Sequence, residues 1–278
     1  LFVVSVVYVL TPEVAWRVLR GGGSGSAEAA AADIDARALR WLALVPLAIF
    51  ALLSLAKTIG LHWLAAFVLP AAVYFMLVSG PRARARGLAV AAAIAVAHWL
   101  VIGVLVALPT DVFRNWKDYP SLVMTMHADE LARALEPWRG RFAIASSGYS
   151  PAVVLGHALH EYVFVFGPGS SHARHDDILN DVRKLAGRDI LIVRKDDLYQ
   201  ASDYEAYFDR VEYKRIEVRG APFYLIEGYG FRYEVYRDQV LDEIRRRWYA
   251  VPAWLPTGPC YFCDRYFPDR SCHEPMSR

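Results

Sequence analysis

The chain has 278 residues, of which 55% are hydrophobic, and 31 lysines and arginines stand against 29 acidic residues. These charges are unevenly divided along the chain. Residues 1–108 contain eight basic and four acidic residues, and residues 109–278 contain 23 basic and 25 acidic residues. The pI near 8.4 therefore comes from short basic segments between apolar stretches and is no indication of nucleic-acid binding. Walker, GxSxG and HExxH motifs do not occur in the sequence, so nucleotide hydrolysis and the common hydrolase sites have no support.

Apolar stretches in the first 108 residues predict membrane-spanning helices, since about 20 mostly apolar residues are needed to cross ~30 Å of hydrocarbon. The predicted spans cover residues 1–16, 41–56, 61–79 and 88–108. The chain begins inside the first of them, without Met and without the basic start of a signal peptide. We therefore expect a truncated first span, with further protein upstream. Pro70 interrupts the third span, which a packed membrane helix tolerates.

Arginines set the predicted orientation. Residues 80–87 (GPRARARG) contain three arginines, and the segment 17–40 contains four. Cytoplasmic loops are enriched in Lys and Arg, so both segments are expected on the cytoplasmic side. The turn at residues 57–60 and everything after Pro109 then lie on the other side of the membrane. The segment 17–40, which includes GGGSGSAEAAAADIDA, is expected to be a flexible spacer.

Residues 109–278 alternate between strand and helix patterns, which predicts a soluble α/β domain with a mainly parallel sheet and an antiparallel edge. Strands are expected at residues 141–146, 162–166, 189–193, 211–218 and 222–227. The last two form a hairpin across the turn Arg219-Gly220-Ala221. Helices are expected at residues 151–160, 176–185 and 203–208. The predicted fold class is thus a bundle of the last three or four transmembrane helices followed by this extracytoplasmic domain.

Two polar loops follow the carboxyl ends of predicted strands, where ligands bind in open α/β sheets. They are residues 146–150 (SSGYS) and residues 167–177 (GPGSSHARHDD). The candidate ligand-binding residues are Tyr149, Ser150, Ser170, His172 and Arg174. Hydroxyl, imidazole and guanidinium groups at a helix start suit phosphate or sugar hydroxyls. Loops of this composition are also common as solvated connections, so both interpretations stay open.

The three cysteines lie near the C-terminus, at Cys260, Cys263 and Cys272, and His273 follows the last of them. A CxxC pair followed by Cys-His has the residue types of a zinc site. Oxidation outside the cytoplasm favours a disulfide instead. We therefore expect either free thiols or a disulfide, in which Cys260 or Cys263 would pair with Cys272, and we expect no metal site.

A lysine, a histidine and a tryptophan lie together between two predicted spans, at Lys57, His62 and Trp63. Tryptophan is a common anchor at the membrane interface, and a lysine there can extend its amine to water. A cation that faces a groove at the outer interface would equally hold the phosphate of a lipid carrier. The residues alone leave both interpretations open.

This segment, KTIGLHW, resembles a late-span motif of GT-C fold glycosyltransferases of the family-39 type, which include protein O-mannosyltransferases and lipid A aminoarabinose transferase. The stretches GYSPAVVLGHALHEYVFVFGPGSSHARHDD and FYLIEGYGFRYEVYRDQVL resemble the C-terminal extracytoplasmic domain of bacterial members. The likeness covers most of residues 40–270 and lies in order, topology and spacing, with no single diagnostic motif.

The resemblance implies an integral enzyme of the bacterial cytoplasmic membrane that moves a sugar from a polyprenyl-phosphate donor to a lipid or protein acceptor outside the membrane. Lys57 and His62 match positions where such enzymes approach the carrier phosphate. The acidic catalytic base of such enzymes lies in the first external loop, far upstream of Leu1, so no catalytic residue is expected in this chain. No cofactor is expected either, although a divalent cation in the full-length enzyme stays open. Membrane lipids are expected partners, and nucleic acid is not.

Two other classes of protein fit the same residues. One is a membrane-anchored extracytoplasmic α/β binding module without catalysis, and the other is a scaffold subunit that holds a separate transferase. Further upstream spans with an external Asp/Glu loop would favour the enzyme. A natural start just before Leu1 would favour the binding module.

Overall fold

The computed structural model describes residues 12–20, 28–55, 65–170, 173–251, 254–256 and 258–269. The chain divides into two compact units, Leu1–Leu108 and Pro109–Arg278, and the predicted domain boundary lies at the same position. Each unit has its own buried apolar core.

The first unit is helical in its described residues. Its helices are α1 (Pro12–Arg20), α2 (Glu28–Ser54), α3 (Ala65–Val78) and α4 (Pro81–Ala107). Of the described helices, α4 and the segment Ala36–Ser54 of α2 are long and apolar enough to cross a membrane. The apolar segment of α3, Ala66–Val78, is shorter. The described part of the chain thus shows two candidate spans, and a bundle of three or four is not evident in it.

Residues 28–40 are helical, so the prediction of a flexible spacer over residues 17–40 was wrong for this part. The segment EAAAADIDARALR forms the first turns of α2, because alanine, leucine and arginine have high helix propensities. Arg40 also ties α2 to the end of α1, since its Nε and Nη2 donate to the carbonyls of Val18 and Leu19 at 2.7 and 2.6 Å. Those carbonyls have no partner within their own helix. Residues 1–11 and 21–27 lie outside the described part of the chain.

Small residues let the helices of the first unit approach closely. Ala43 of α2 and Ala71 of α3 are fully buried. Gly87 of α4 lies against the ring of Phe75, where an added Cβ would come within 2.8 Å of a ring carbon. Such small-residue contacts are typical of helices that pack in a membrane.

The second unit is built on a mixed five-stranded sheet in the order β2-β1-β3-β5-β4. The strands are β1 (Ala143–Ser146), β2 (Phe164–Val165), β3 (Ile190–Arg194), β4 (Phe208–Val218) and β5 (Ala221–Phe231). β1 is parallel to β2 and β3, whereas β5 is antiparallel to β3 and β4. The predicted antiparallel edge is present. The sheet is mixed rather than mainly parallel, because β5, which is 11 residues long, runs antiparallel to both of its neighbours, β3 and β4.

Helices cover both faces of the sheet. On one face α5 (Tyr119–Met126), α6 (Ala128–Ala134) and α7 (Tyr149–Leu159) pack against apolar side chains that include Leu191 and Leu225. The other face, which includes Ile192, packs against residues 236–244 and 262–267. The helices not yet named are α8 (Arg174–Leu179), α9 (Ser202–Glu205), α10 (Tyr233–Tyr236), α11 (Asp242–Ile244) and α12 (Tyr261–Tyr266), with π-helical turns at Arg237–Leu241 and Arg245–Tyr249.

Two predicted helices of this unit are shorter than expected. The helix predicted at 176–185 is broken into α8 and a 3-10 turn at Val182–Leu185. Asp181 causes the break, since its carboxylate accepts from the backbone N–H of Arg183 at 3.3 Å and begins a new turn. The helix predicted at 203–208 ends earlier, because Phe208 already belongs to β4.

The predicted hairpin has a two-residue turn, Arg219-Gly220. Both residues have positive φ angles, 51° and 74°. This is the left-handed geometry that two-residue hairpins favour, because its twist matches that of the strands. Ala221 therefore begins β5 instead of completing the turn.

Candidate functional site

The structure places the two predicted ligand loops at the carboxyl ends of the adjacent strands β1 and β2. Ser146 ends β1 and is buried, and its hydroxyl donates to the carbonyl of Val193 at 3.0 Å. Tyr149 and Ser150 begin α7, where Ser150 is exposed. Ser170 is exposed in the second loop. His172 lies outside the described residues.

Arg174 is engaged within the protein. Its Nη1 forms an ion pair with Oδ2 of Asp177 at 2.8 Å, and its Nη2 donates to the carbonyl of Pro168 at 2.8 Å. The guanidinium also lies 5.8 Å from the ring centre of Trp248. Arg174 thus holds the loop against α8 and the helical residues near Trp248. A ligand would have to compete with these contacts, so the ligand role of Arg174 stays a prediction.

Two neighbouring carboxylates in α8 accept hydrogen bonds from other elements. Asp176 accepts from the hydroxyl of Tyr162 and, at 3.2 Å, from the backbone N–H of Val165 at the edge of the sheet. Asp177 accepts from the hydroxyl of Tyr249 at 2.9 Å. Burial raises the pKa of Asp177 to about 6, against the lowering influence of the Arg174 guanidinium and the Tyr249 hydroxyl. Burial likewise raises the pKa of Asp176.

The cavity beside these carboxylates is small, with a volume of about 10 Å³. This is space for a single water molecule and not for a sugar or a phosphate. Its polar lining consists of Arg174, Asp176 and Asp177 of α8, Asn180 just after α8, Tyr236 of α10 and Tyr266 of α12. A ligand of the predicted loop would therefore have to bind on its outer surface.

We expect Asp177→Asn to remove a pH dependence from the stability of the second unit. The pKa of Asp177 is higher in the folded than in the unfolded chain, so its protonated form stabilises the fold. This contribution is complete below an unfolded pKa of about 3.9 and is lost as the pH rises through about 6. Relative to the variant, the wild type should lose up to about 3 kcal/mol of unfolding free energy between pH 4 and pH 7.

Urea unfolding of the detergent-solubilised chain at several pH values measures this difference. Asp129→Asn is a matched control, because Asp129 is an exposed aspartate outside this cluster. The control should follow the wild-type pH profile. Parallel profiles for wild type and Asp177→Asn would contradict the prediction.

A larger cavity, of about 410 Å³, lies at the opposite end of the parallel strands. Its lining includes residues that begin β1 and β2 or precede a strand, such as Ala143, Phe164 and Arg188. Residues 179–181, 184 and 185 also line it. Its volume falls within the roughly 300–1,000 Å³ of small-molecule sites. This cavity was not predictable from the sequence, because its lining residues are scattered along the chain and ligands are expected at the carboxyl ends of such strands.

Glu227 is a second feature that sequence reasoning missed. It is only 2% exposed. It accepts hydrogen bonds from Trp138 Nε1, Tyr229 Oη and Lys214 Nζ, each at 2.6 Å. Burial alone would raise its pKa, but the hydrogen bonds from these three donors outweigh burial and hold the pKa below its usual range. Because all three donors belong to the protein, Glu227 is a structural carboxylate.

Both of the expected cysteine states occur, since Cys263 is disulfide-bonded and Cys260 is free. Cys272, the expected partner, lies outside the described residues. A disulfide sulfur is not a thiolate, so Cys263 is not available as a zinc ligand. Among the described residues there is also no group of three His, Cys, Asp or Glu side chains placed to hold a metal ion.

Lys57 and His62, the predicted lipid-phosphate residues, lie outside the described part of the chain. No protein-family model matches the chain, and neither a curated protein nor a solved structure is significantly similar to it. The resemblance of residues 40–270 to family-39-type glycosyltransferases therefore stays a hypothesis drawn from the motifs themselves.

Proposed function

We propose that this chain is part of an integral membrane glycosyltransferase that moves a sugar from a polyprenyl-phosphate donor to a lipid or protein acceptor on the extracytoplasmic side. The observation that supports a membrane location is the surface of α4. Its apolar side chains are exposed over most of the helix surface, with Trp99, Val104 and Val106 at 62%, 61% and 72%. Only a stripe along Gly87, Ala91, Ala95 and Ile102 is covered, at least in part. A helix that is apolar all round and exposes most of that apolar surface is best covered by lipid.

The dimensions of α4 agree with this role. Its 27 residues extend about 40 Å at 1.5 Å per residue, which exceeds the ~30 Å hydrocarbon core. The part of the helix that exceeds the hydrocarbon thickness is its basic first turn and a half, where Arg82, Arg84 and Arg86 can reach the aqueous interface. We propose that this end is cytoplasmic, as the arginine distribution predicts. The finer arrangement, with α3 and the residues before it as a third span, belongs to the same proposal.

The sugar-transfer part of the proposal is supported by the motif KTIGLHW and by the likeness of the second unit to the soluble domain of bacterial members. Its physical basis is the leaving group. A lipid phosphate gains negative charge as the sugar departs, and a fixed cation nearby stabilises that charge. Lys57, with His62 beside it, is the cation that we propose for this role.

Cysteine labelling in intact cells tests the orientation. We expect Ser150→Cys to react with a membrane-impermeant maleimide and Ala85→Cys to react only after permeabilisation. Both positions are exposed, so burial does not protect either of them. The native thiol of Cys260 is removed as Cys260→Ser in both variants. Labelling at Ala85→Cys alone would reverse the orientation and overturn the carrier-site argument with it.

The second candidate function is a membrane-anchored extracytoplasmic binding module without catalysis. The cavity of about 410 Å³ in the second unit favours it, because a ligand can bind there without any reaction. Both candidate functions share the orientation that labelling tests. Sugar transfer by the full-length protein distinguishes between them.

A further inference from the structure

The cavity at the amino ends of the parallel strands is lined by two acidic side chains, and both are paired with arginines. Oε1 of Glu161 lies 3.3 Å from Nε of Arg139. Asp181 accepts from both Nε and Nη2 of Arg183, each at 2.9 Å. The hydrogen bond from Arg183 holds the pKa of Asp181 below its usual range. Arg139 also pairs with Glu136 at 3.0 Å, so Glu161 shares its arginine, whereas Asp181 has Arg183 to itself. Within the described lining of the cavity neither arginine is present.

The two basic side chains of the same cavity are not neutralised. Within the described part of the chain, Lys184 and Arg188 make no side-chain hydrogen bond or ion pair. Both are exposed. Lys184 lies in the 3-10 turn Val182–Leu185, and Arg188 lies shortly before β3. These two cations exceed the one acid, Glu161, that shares its arginine, so they leave the cavity with a positive charge that a bound anion would balance.

Apart from Gly140 and Asn180, apolar and aromatic side chains form the rest of the cavity wall. The hydroxyl of Tyr162 donates to Asp176, which fixes the orientation of its half-exposed ring. Leu179 is 60% exposed beside it, and Phe164 and Leu185 are buried behind. A cationic rim next to an apolar wall suits an organic anion better than a bare ion.

We propose that this cavity binds a small organic phosphate, with the phosphate group between Lys184 and Arg188 and its organic part against Tyr162 and Leu179. The fork of an arginine and the point charge of a lysine are both used for phosphate recognition in proteins. A phosphate monoester carries close to two negative charges at neutral pH, which matches two cations. The phosphate belongs to a soluble sugar phosphate or to a phospholipid headgroup. The proposal does not rest on the proposed transferase activity.

Calorimetric titration of the purified full chain in detergent with glucose 6-phosphate tests the site. We expect saturable binding that Lys184→Ala/Arg188→Ala weakens by about tenfold or more, since each 1.4 kcal/mol of lost contact is tenfold in Kd. Lys117→Ala/Arg133→Ala is the matched control. These two cations are also exposed and do not line the cavity, so the same loss of charge should change the Kd by less than about twofold.

A short-chain phosphatidic acid, added to the same detergent, distinguishes the two sources of phosphate. Binding of glucose 6-phosphate that depends on Lys184 and Arg188 supports a soluble ligand. Binding of phosphatidic acid alone, with the same dependence, supports a lipid headgroup. Lys184→Gln/Arg188→Gln repeats the test with longer side chains if the alanine variant lowers the Tm. The proposal is overturned if neither probe binds the wild type, or if the control variant weakens binding as much as the cavity variant.

Discussion

Glu227→Gln is expected to lower the unfolding free energy of the β4–β5 region by about 3 kcal/mol. The glutamine keeps the size of the side chain but offers one acceptor oxygen where the carboxylate offers two. Trp138 Nε1, Tyr229 Oη and Lys214 Nζ all point their donors at this group. The amide nitrogen of a glutamine would face one of these donors, so at least one hydrogen bond to a buried charge is lost without replacement.

Hydrogen–deuterium exchange of peptides from β4 and β5, in the full chain, measures this loss as a local opening free energy. The matched control is Glu212→Gln, because Glu212 pairs with Glu227 across the two strands but is 41% exposed. Its ion pairs are at the surface, so the control should cost less than about 0.5 kcal/mol. Equal costs in the two variants would show that burial of Glu227 contributes little.

The pH dependence of this variant has the opposite sign to that of Asp177→Asn. The pKa of Glu227 is lower in the folded than in the unfolded chain. Its stabilising contribution is therefore complete above the unfolded pKa, about 4.3, and is lost as the pH falls through the folded pKa. The difference between wild type and Glu227→Gln should shrink below about pH 4. A difference that grows with acidity would contradict this assignment.

Lys57→Ala is expected to reduce sugar transfer by the full-length protein about ten- to hundredfold, with little change in protein abundance. A charge-assisted contact to a phosphate in a partly dry groove contributes roughly 1.5–3 kcal/mol. Each 1.36 kcal/mol of transition-state stabilisation corresponds to about a tenfold change in rate. The test measures transfer by the full-length protein at matched expression.

Two further substitutions refine this test. Lys57→Arg should retain part of the activity, since charge matters more than shape at a point contact. His62→Ala should have a smaller effect than Lys57→Ala if the imidazole only orients the groove, and a comparable effect if it donates to the phosphate. Unchanged transfer by Lys57→Ala at matched expression would leave Lys57 as an interfacial anchor and would favour the binding module.

Strand positions in the second unit were predictable from the sequence because strands have a short, local pattern. Apolar runs such as residues 189–193 have few alternatives, and the positive φ angles at Arg219 and Gly220 fit a hairpin turn. The prediction of a flexible spacer at residues 17–40 was wrong for residues 28–40, because the small residues of this segment suggested flexibility. Helix propensity and the contacts of Arg40 with α1 decide the structure of residues 28–40 instead.

The candidate sites were harder to predict, since they depend on contacts between distant segments. Arg174 was interpreted as a ligand residue, but the structure engages it with Asp177 and Pro168. Glu227 looks like an ordinary surface residue in a strand, and only the approach of Trp138 from 89 positions away makes it a buried carboxylate. Such contacts between distant residues cannot be predicted from composition. The apolar length of α4 can be predicted from the sequence, because it depends only on consecutive residues.

The central strand of the sheet leaves the ribosome before one of its two neighbours has been made. β3 pairs with β1 on one side and with β5 on the other, and β5 follows only after α9 and β4. At synthesis rates of about 5–20 residues per second, this delay is on the order of seconds. A tight hairpin such as β4–β5 forms in about 1–10 μs once it is complete. The time for which β3 presents an open, apolar edge to aggregation is therefore set by translation and not by folding.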